Sequence, residues 1–85
     1  MTIELQDTPG VGRYWRVLVQ PGELVVASGK TLDYSTWIGT IEPNGKINRW
    51  TPAASVPRGY PAAADAMLAS ARARLRADGV LNYGA

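Results

Sequence analysis

The residue types that most often carry catalysis are missing from this chain or scattered along it. There is no His and no Cys among the 85 residues. This removes the commonest general base, the commonest metal ligand and every thiolate nucleophile. The carboxylates fall in predicted turns and at element ends, without the paired spacing of a glycosidase or metal site. They are Glu4, Asp7, Glu23, Asp33, Glu42, Asp65 and Asp78. We therefore expect no catalytic residue, no metal ion and no cofactor.

Two weaker catalytic patterns also fail on spacing. Gly29-Lys30-Thr31 has the residue types that end a phosphate-binding loop, but the upstream Gly and the following helix are both absent. The Ser hydroxyls have no His to activate them, and the positions of Lys30 and Lys46 do not support a Ser–Lys pair. The sequence therefore predicts a protein that is not an enzyme and takes no small-molecule substrate.

The cations are the first candidate binding feature. The net charge of +2 is too small to require a nucleic-acid partner. Arg72 and Arg76 are four residues apart and share one face of a predicted helix, whereas Arg74 points elsewhere. This face, together with Arg13 and Arg16, is the candidate site for an anionic partner. The alternative is that the helix Arg residues only compensate the helix dipole and favour solubility.

The aromatic residues, three Trp and four Tyr with no Phe, are the second candidate feature. Without Phe, Trp and Tyr must fill the core, and we predict that Trp15 and Trp37 do so. Trp50 ends a strand beside a Pro-rich loop and is expected to be half exposed. Tyr60 is expected to anchor that loop at the helix start. The alternative is that aromatic residues beside the strand Arg residues stack on unpaired bases.

The clearest element that positions these residues is a β-hairpin. Strands over 36–41 and 46–50 flank the sequence Glu42-Pro43-Asn44-Gly45. In this turn Pro presets φ, and Asn-Gly tolerates positive φ. Simple alternation along the first of these strands places Trp37 and Ile38 on opposite faces.

Further strands are predicted upstream of this hairpin. Residues 13–20 alternate between apolar and polar side chains, so this strand packs one face on the core. Residues 23–28 form an apolar run that we expect to pair with it as a hairpin through the turn Pro21-Gly22. Residues 2–6 are a short edge strand, and residues 28–33 are a connector.

One helix is predicted over 61–78, with Pro61 in its first turn and Gly79 as its stop. Its apolar stripe consists of Ala64, Leu68, Ala71 and Leu75. The fold class is therefore α+β: an antiparallel sheet of three to five strands with one C-terminal helix packed on one face. The segments of this single domain are an edge strand and loop (1–12), the sheet (13–51), a Pro-rich loop (52–60), the helix (61–78) and a tail (79–85).

A single helix covers only one face of a sheet, so the other face is open or covered by a partner. This predicts a non-enzymatic interaction protein, docking a protein partner or a second copy of itself through its sheet face or edge. The candidate docking residues are Ile38, Thr40, Lys46, Asn48, Arg49 and Trp50. The alternative is a nucleic-acid-binding module that uses the strand Arg and Lys residues and the helix Arg face.

The sequence shows no membrane or export signal. No apolar run reaches the roughly 18–20 residues of a membrane helix. The first residues lack the basic and apolar regions of a secretion signal. We therefore expect a cytoplasmic protein without a membrane partner.

The order of Trp37, the turn 43–46, a Pro-rich stretch and the alanine-rich helix resembles small sheet-plus-helix domains of phage and mobile-element proteins. The arm-type DNA-binding domain of tyrosine integrases is one such domain. The resemblance spans residues 37–75 and implies a phage or mobile-element accessory factor. It also implies strand residues that enter a DNA major groove. That role would fall on Thr40, Lys46, Asn48 and Arg49. The basic run typical of that family's strands is absent here.

Overall fold

The computed structural model describes residues 1–33, 36–50 and 56–82. In these segments six strands precede one helix: β1 (Thr2–Thr8), β2 (Gly12–Leu18), β3 (Leu24–Val25), β4 (Thr31–Leu32), β5 (Trp37–Ile41), β6 (Ile47–Arg49) and α1 (Tyr60–Ala77). An antiparallel sheet has the order β1-β2-β5-β6, and β3 and β4 form a separate two-stranded sheet. The predicted α+β class, antiparallel sheet and C-terminal helix are confirmed.

The predicted hairpin of residues 13–20 with residues 23–28 is wrong. Strand β2 pairs with β1 on one side and with β5 on the other, so neither of its edges is available to β3. The chain instead turns away after β2, and the Gly22 N–H donates to Asp33 Oδ1 at 2.8 Å. This contact joins the turn to the end of β4. Strand β3 pairs with β4 instead of β2. The segment predicted as a connector thus contains a strand.

A bulge in β5 changes which of its side chains face the helix. The register between β2 and β5 shifts between Val17 and Leu18, which leaves Ile38 as an extra residue on β5. Ile38 and Ile41 are consequently both fully buried. Trp37 lies opposite Leu18 on the other face and is half-buried, so its prediction as a core residue is wrong. Ile38, predicted as a docking residue, is out of a partner's reach.

Helix α1 packs on one face of the sheet, and its main contacts are with β3, β5 and β6. The predicted apolar stripe of the helix is buried throughout, as is Trp15 on β2. The fully or nearly buried residues are Trp15, Val17, Val19, Leu24, Ile38, Ile41, Tyr60, Ala63, Ala64, Leu68, Ala71 and Leu75. This core fixes the helix over the β5–β6 side of the sheet.

The end of α1 forms a Schellman motif, as the predicted Gly stop implies. Gly79 has a left-handed φ of 72°, and its N–H donates to the Arg76 carbonyl at 3.0 Å. The N–H of Val80 donates to the Leu75 carbonyl at 3.3 Å. These two bonds satisfy carbonyl groups that the last helical turn leaves unpaired.

The described part of the tail returns to the sheet. Leu81 packs against the core, and the Asn82 N–H donates to the Pro43 carbonyl at 2.7 Å. The tail's Tyr83 lies outside the described residues. So do residues 34–35, which precede the predicted 36–41 strand, and residues 51–55, most of which belong to the predicted Pro-rich loop.

Candidate interaction surface

The sheet face opposite α1 carries the candidate site, and we call it the open face. The strand register assigns to it the residues that alternate with core-facing ones. They are Thr2, Glu4 and Gln6 on β1, Tyr14, Arg16 and Leu18 on β2, Trp37 and Thr40 on β5, and Asn48 with the adjoining Trp50. Most of these side chains are half-buried.

Trp37 and Trp50 form an aromatic pair on the open face. Their ring centroids are 5.4 Å apart and their planes are tilted by 30°. This geometry is within the range that aromatic pairs prefer. The backbone N–H of Trp50 donates to the Ile38 carbonyl at 3.0 Å, and the Tyr60 hydroxyl donates to the Trp50 carbonyl at 3.1 Å. Both the backbone N–H and the carbonyl of Trp50 are therefore bonded, and Tyr60 joins the helix start to the residue that follows β6. Most of the loop that Tyr60 was expected to anchor lies outside the described residues.

A surface hollow of about 370 Å³ opens beside this pair. Its lining consists of Val11, Arg13, Tyr14, Trp37, Thr40 and Glu42. Val11 is 72% exposed, so an aliphatic group is presented to solvent at the rim. Aromatic and aliphatic walls with one cation and one anion suit an apolar side chain better than a strongly charged group.

The charged and polar side chains of the open face bond to one another across the strands. Arg16 Nη2 lies 3.4 Å from Glu4 Oε2 on the neighbouring strand. Asn48 Nδ2 donates to Glu42 Oε2 at 2.9 Å, and Thr40 lies directly opposite Asn48 in the sheet. The face thus presents a polar but locally neutral surface around its aromatic pair.

The six predicted docking residues do not form one surface. Thr40, Asn48 and Trp50 lie on the open face, and Lys46 is exposed in the adjoining turn. Arg49 has the opposite orientation, because its Nη1 lies 2.6 Å from Asp65 Oδ2 on α1. The sixth residue, Ile38, is in the core.

The four predicted anion-binding residues also do not converge. Arg13 lies 3.2 Å from a carboxylate oxygen of Asp7, and Arg16 pairs with an acid on the open face. Arg72 and Arg76 belong to α1, on the other side of the sheet. In the described segments these residues therefore do not make one continuous cationic surface.

Four of the residues on this surface and its hollow that sequence reasoning missed as binding residues are Tyr14, Leu18, Trp37 and Val11. Tyr14 and Leu18 alternate with core residues, and that pattern already placed them on the face away from the core. Trp37 was assigned to the wrong face because a bulge leaves no clear sign in a single sequence. Val11, at the rim of the hollow, lies in a turn that composition alone identified as loop.

A second hollow, of about 520 Å³, lies between the β3–β4 hairpin and the start of α1. Its lining includes Val26, Leu32 and Pro57, with the exposed cations Lys30 and Arg58 at its margin. Over the described residues, no three acidic, His or Cys side chains are grouped to hold a metal ion. No helix in those same segments has the length and apolar character needed to cross a membrane.

No protein-family model matches the chain, and no curated protein or solved structure is significantly similar to it.

Proposed function

We propose that this protein is a non-enzymatic interaction protein that docks a protein partner through the open face. The observation that supports the proposal is the Trp37–Trp50 pair beside a hollow, on the side of the sheet away from α1. Large aromatic side chains are enriched at the centres of protein interfaces, because each buries much area at a small entropic cost. The resemblance to phage and mobile-element domains suggests an accessory factor as the biological setting.

The pairing of charges on the open face suggests the chemistry of the partner. Arg16 is matched by Glu4, so this face offers no excess charge for a strongly charged partner. The fitting partner is a neutral protein surface that places one aliphatic or aromatic side chain in the hollow. It also supplies hydrogen-bonding groups to Thr40 and Asn48. Because electrostatic attraction contributes little, binding should change only slightly with salt concentration.

Partner capture with two open-face variants and one matched control tests this proposal. Trp37→Ala removes half of the aromatic pair, and Thr40→Arg places a bulky cation at the centre of the face. Arg72→Ala changes the helix side of the molecule and serves as the control. The expected result is a protein that wild type and Arg72→Ala retain at about 0.5 M salt, where screening is strong. Both open-face variants should lose it, with circular dichroism confirming that they fold. Equal retention by all four proteins, or by none, contradicts the proposal.

A nucleic-acid-binding module is the second candidate function. Thr40 and Asn48 lie directly opposite each other on the open face, next to the exposed turn residue Lys46. These are three of the four positions to which the integrase resemblance assigns groove contacts. Salt titration of binding to mixed DNA and RNA distinguishes the two functions. A dissociation constant weaker than about 0.1 mM at physiological salt would eliminate this candidate, because non-specific contacts already reach that range.

A further inference from the structure

Strand β1 is an edge of the four-stranded sheet in the described segments, and apart from the acids Glu4 and Asp7 it lacks the features that normally protect an edge. Its seven residues pair with β2 in unbroken register, without a bulge. The sequence of β1 contains no Pro and no Lys. The opposite edge, β6, has only three residues. Natural sheets usually shorten, bend or charge a free edge, because its unpaired backbone groups otherwise attract another strand.

The pairing pattern identifies the backbone groups that β1 directs outward. Just after β2, the Val19 N–H donates to the Thr36 carbonyl at 2.7 Å, on the β5 side. Odd-numbered residues of β2 therefore bond toward β5, and even-numbered ones bond toward β1. Even-numbered residues of β2 lie opposite even-numbered residues of β1. The N–H and C=O groups of Ile3, Leu5 and Asp7 consequently point away from the sheet.

The centre of this edge also exposes an apolar side chain. Leu5 is 51% exposed, although it lies opposite the buried Trp15 on the helix side of the sheet. The main contacts of α1 are with β3, β5 and β6, so the helix does not extend over Leu5. A strand placed beside β1 would cover part of this side chain.

We propose that β1 pairs antiparallel with β1 of a second copy, about a two-fold axis that passes through Leu5. In this register Leu5 lies opposite Leu5 of the second copy, and Ile3 lies opposite Asp7. Each of these pairs exchanges two N–H···O=C bonds, since all three residues direct their backbone groups outward. Every residue from Thr2 to Thr8 then has a partner across the interface.

The neighbouring registers are less favourable. An axis through Glu4 would place the two Glu4 carboxylates directly opposite each other, which destabilises a strand pair. An axis through Gln6 would leave Thr2 and Ile3 without partners. A register shifted by a single residue would place residues whose backbone N–H and C=O groups point away from the sheet opposite residues whose groups point toward β2.

The ion pairs of the sheet allow two acidic strands to approach. Glu4 is paired with Arg16, and Asp7 is paired with Arg13. Each acidic side chain of β1 is therefore already paired with an Arg of β2 in the same copy. The product is a continuous sheet with four strands from each copy and both helices on one side. The inference rests on the proposed role as an interaction protein and names a second copy as the partner at this edge. The two open faces would lie side by side.

Analytical ultracentrifugation of the full chain over about 10 μM to 1 mM covers the range of a weak, edge-only dimer. Leu5→Lys places two cations across the two-fold axis. Val25→Lys is the matched control, because Val25 is similarly exposed, at 53%, but lies on β3. We expect wild type and Val25→Lys to dimerise and Leu5→Lys to raise the dimer dissociation constant at least about tenfold. A wild type that is monomeric at the highest concentration, or a Leu5→Lys variant that dimerises equally well, would overturn the inference.

Cysteine cross-linking tests the register itself, since the chain contains no native Cys. In the proposed pair the two residues at position 5 have Cα atoms about 5.5 Å apart, within disulfide range. Leu5→Cys should therefore oxidise to a covalent dimer faster than Glu4→Cys, whose two copies are offset along the strands. Equal rates would refute the register. Docking through the open face is tested separately, by asking whether the Leu5→Lys variant still retains the open-face partner. If the β1–β1 dimer does not form, the open-face proposal is therefore unaffected.

Discussion

Gly39 and Leu68 meet where helix α1 crosses strand β5. A methyl group built on Gly39 would lie 3.1 Å from Leu68 Cδ1 and 2.5 Å from the backbone carbonyl oxygen of Asn48 on β6. The space above Gly39 is therefore filled by the helix on one side and by the neighbouring strand on the other. The close approach of helix and sheet depends on the absence of a side chain at this position.

Gly39→Ala should destabilise the protein by about 1–3 kcal/mol, the usual cost of overpacking a filled site. The Asn48 carbonyl belongs to the sheet backbone and cannot rotate away as a side chain would. Urea unfolding followed by circular dichroism measures the change. Thr40→Ala, the next residue on the opposite face, is the control and should change stability by less than about 0.5 kcal/mol. A Gly39→Ala protein as stable as wild type would mean that α1 lies farther from β5.

The two glycines that flank α1 allow backbone strain to be separated from packing. Gly59 and Gly79 have left-handed φ values of 86° and 72°. A methyl group on Gly79 meets nothing within 4 Å, whereas one on Gly59 would lie 2.8 Å from Val26 Cγ1. Gly79→Ala should cost about 1–2 kcal/mol from backbone strain alone, and Gly59→Ala should cost more. Thermal and urea unfolding of both variants provide the comparison, and equal costs would contradict the packing of Val26 on the helix start.

Glu23 gives the protein a pH-dependent contact. The ammonium group of Met1 and the backbone N–H of Gln20 donate to its carboxylate, and together they lower the pKa of Glu23 below its ordinary value of 4.5. A carboxyl group whose pKa is depressed by folding stabilises the folded state above its unfolded pKa. That contribution is lost as the pH falls through the folded pKa.

Wild type should therefore unfold at a higher temperature than Glu23→Gln near neutral pH. The difference should shrink once the pH falls below the ordinary value of 4.5. Calorimetry of both proteins at a series of pH values measures this convergence. Acetylation of the amino group is the control, because it removes the larger of the two causes of the shift. A difference that is independent of pH would show that the carboxylate is not held in this contact.

The helix and the β5–β6 hairpin could be predicted because their signals are local. The alanine-rich stripe, Pro61 and Gly79 specify the helix over nearly its observed length, and the Pro-Asn-Gly turn specifies the β5–β6 pair. The pairing of β2 was predicted wrongly because adjacency in sequence favoured a hairpin through Pro21-Gly22. The actual neighbours of β2 are set by long-range packing, which no local turn signal reports.

The candidate surface was predicted only in part, for a related reason. Thr40, Asn48 and Trp50 were identified because period-two alternation holds along β6 and the end of β5. The one-residue bulge at Ile38 reverses that alternation, so it moves Ile38 into the core and Trp37 onto the open face. The orientation of Arg49 depends on its ion pair with Asp65, a contact between residues distant in sequence.

The aromatic pair on the open face should be measurable as an energetic coupling. Trp37→Ala and Trp50→Ala each remove a half-buried ring, and each variant should be less stable than wild type. Because the rings lie 5.4 Å apart, the double variant should lose less than the sum of the two single losses. We expect a coupling of about 0.5–1.5 kcal/mol, the usual value for aromatic pairs.

A double-mutant cycle in urea gives this coupling directly. The matched control combines Trp50→Ala with Trp15→Phe, because Trp15 lies on the opposite, helix-covered face. That second pair should be additive within about 0.5 kcal/mol. If the Trp37–Trp50 cycle were equally additive, the two rings would not interact in solution. The open face would then lack the fixed aromatic pair on which the proposed docking depends.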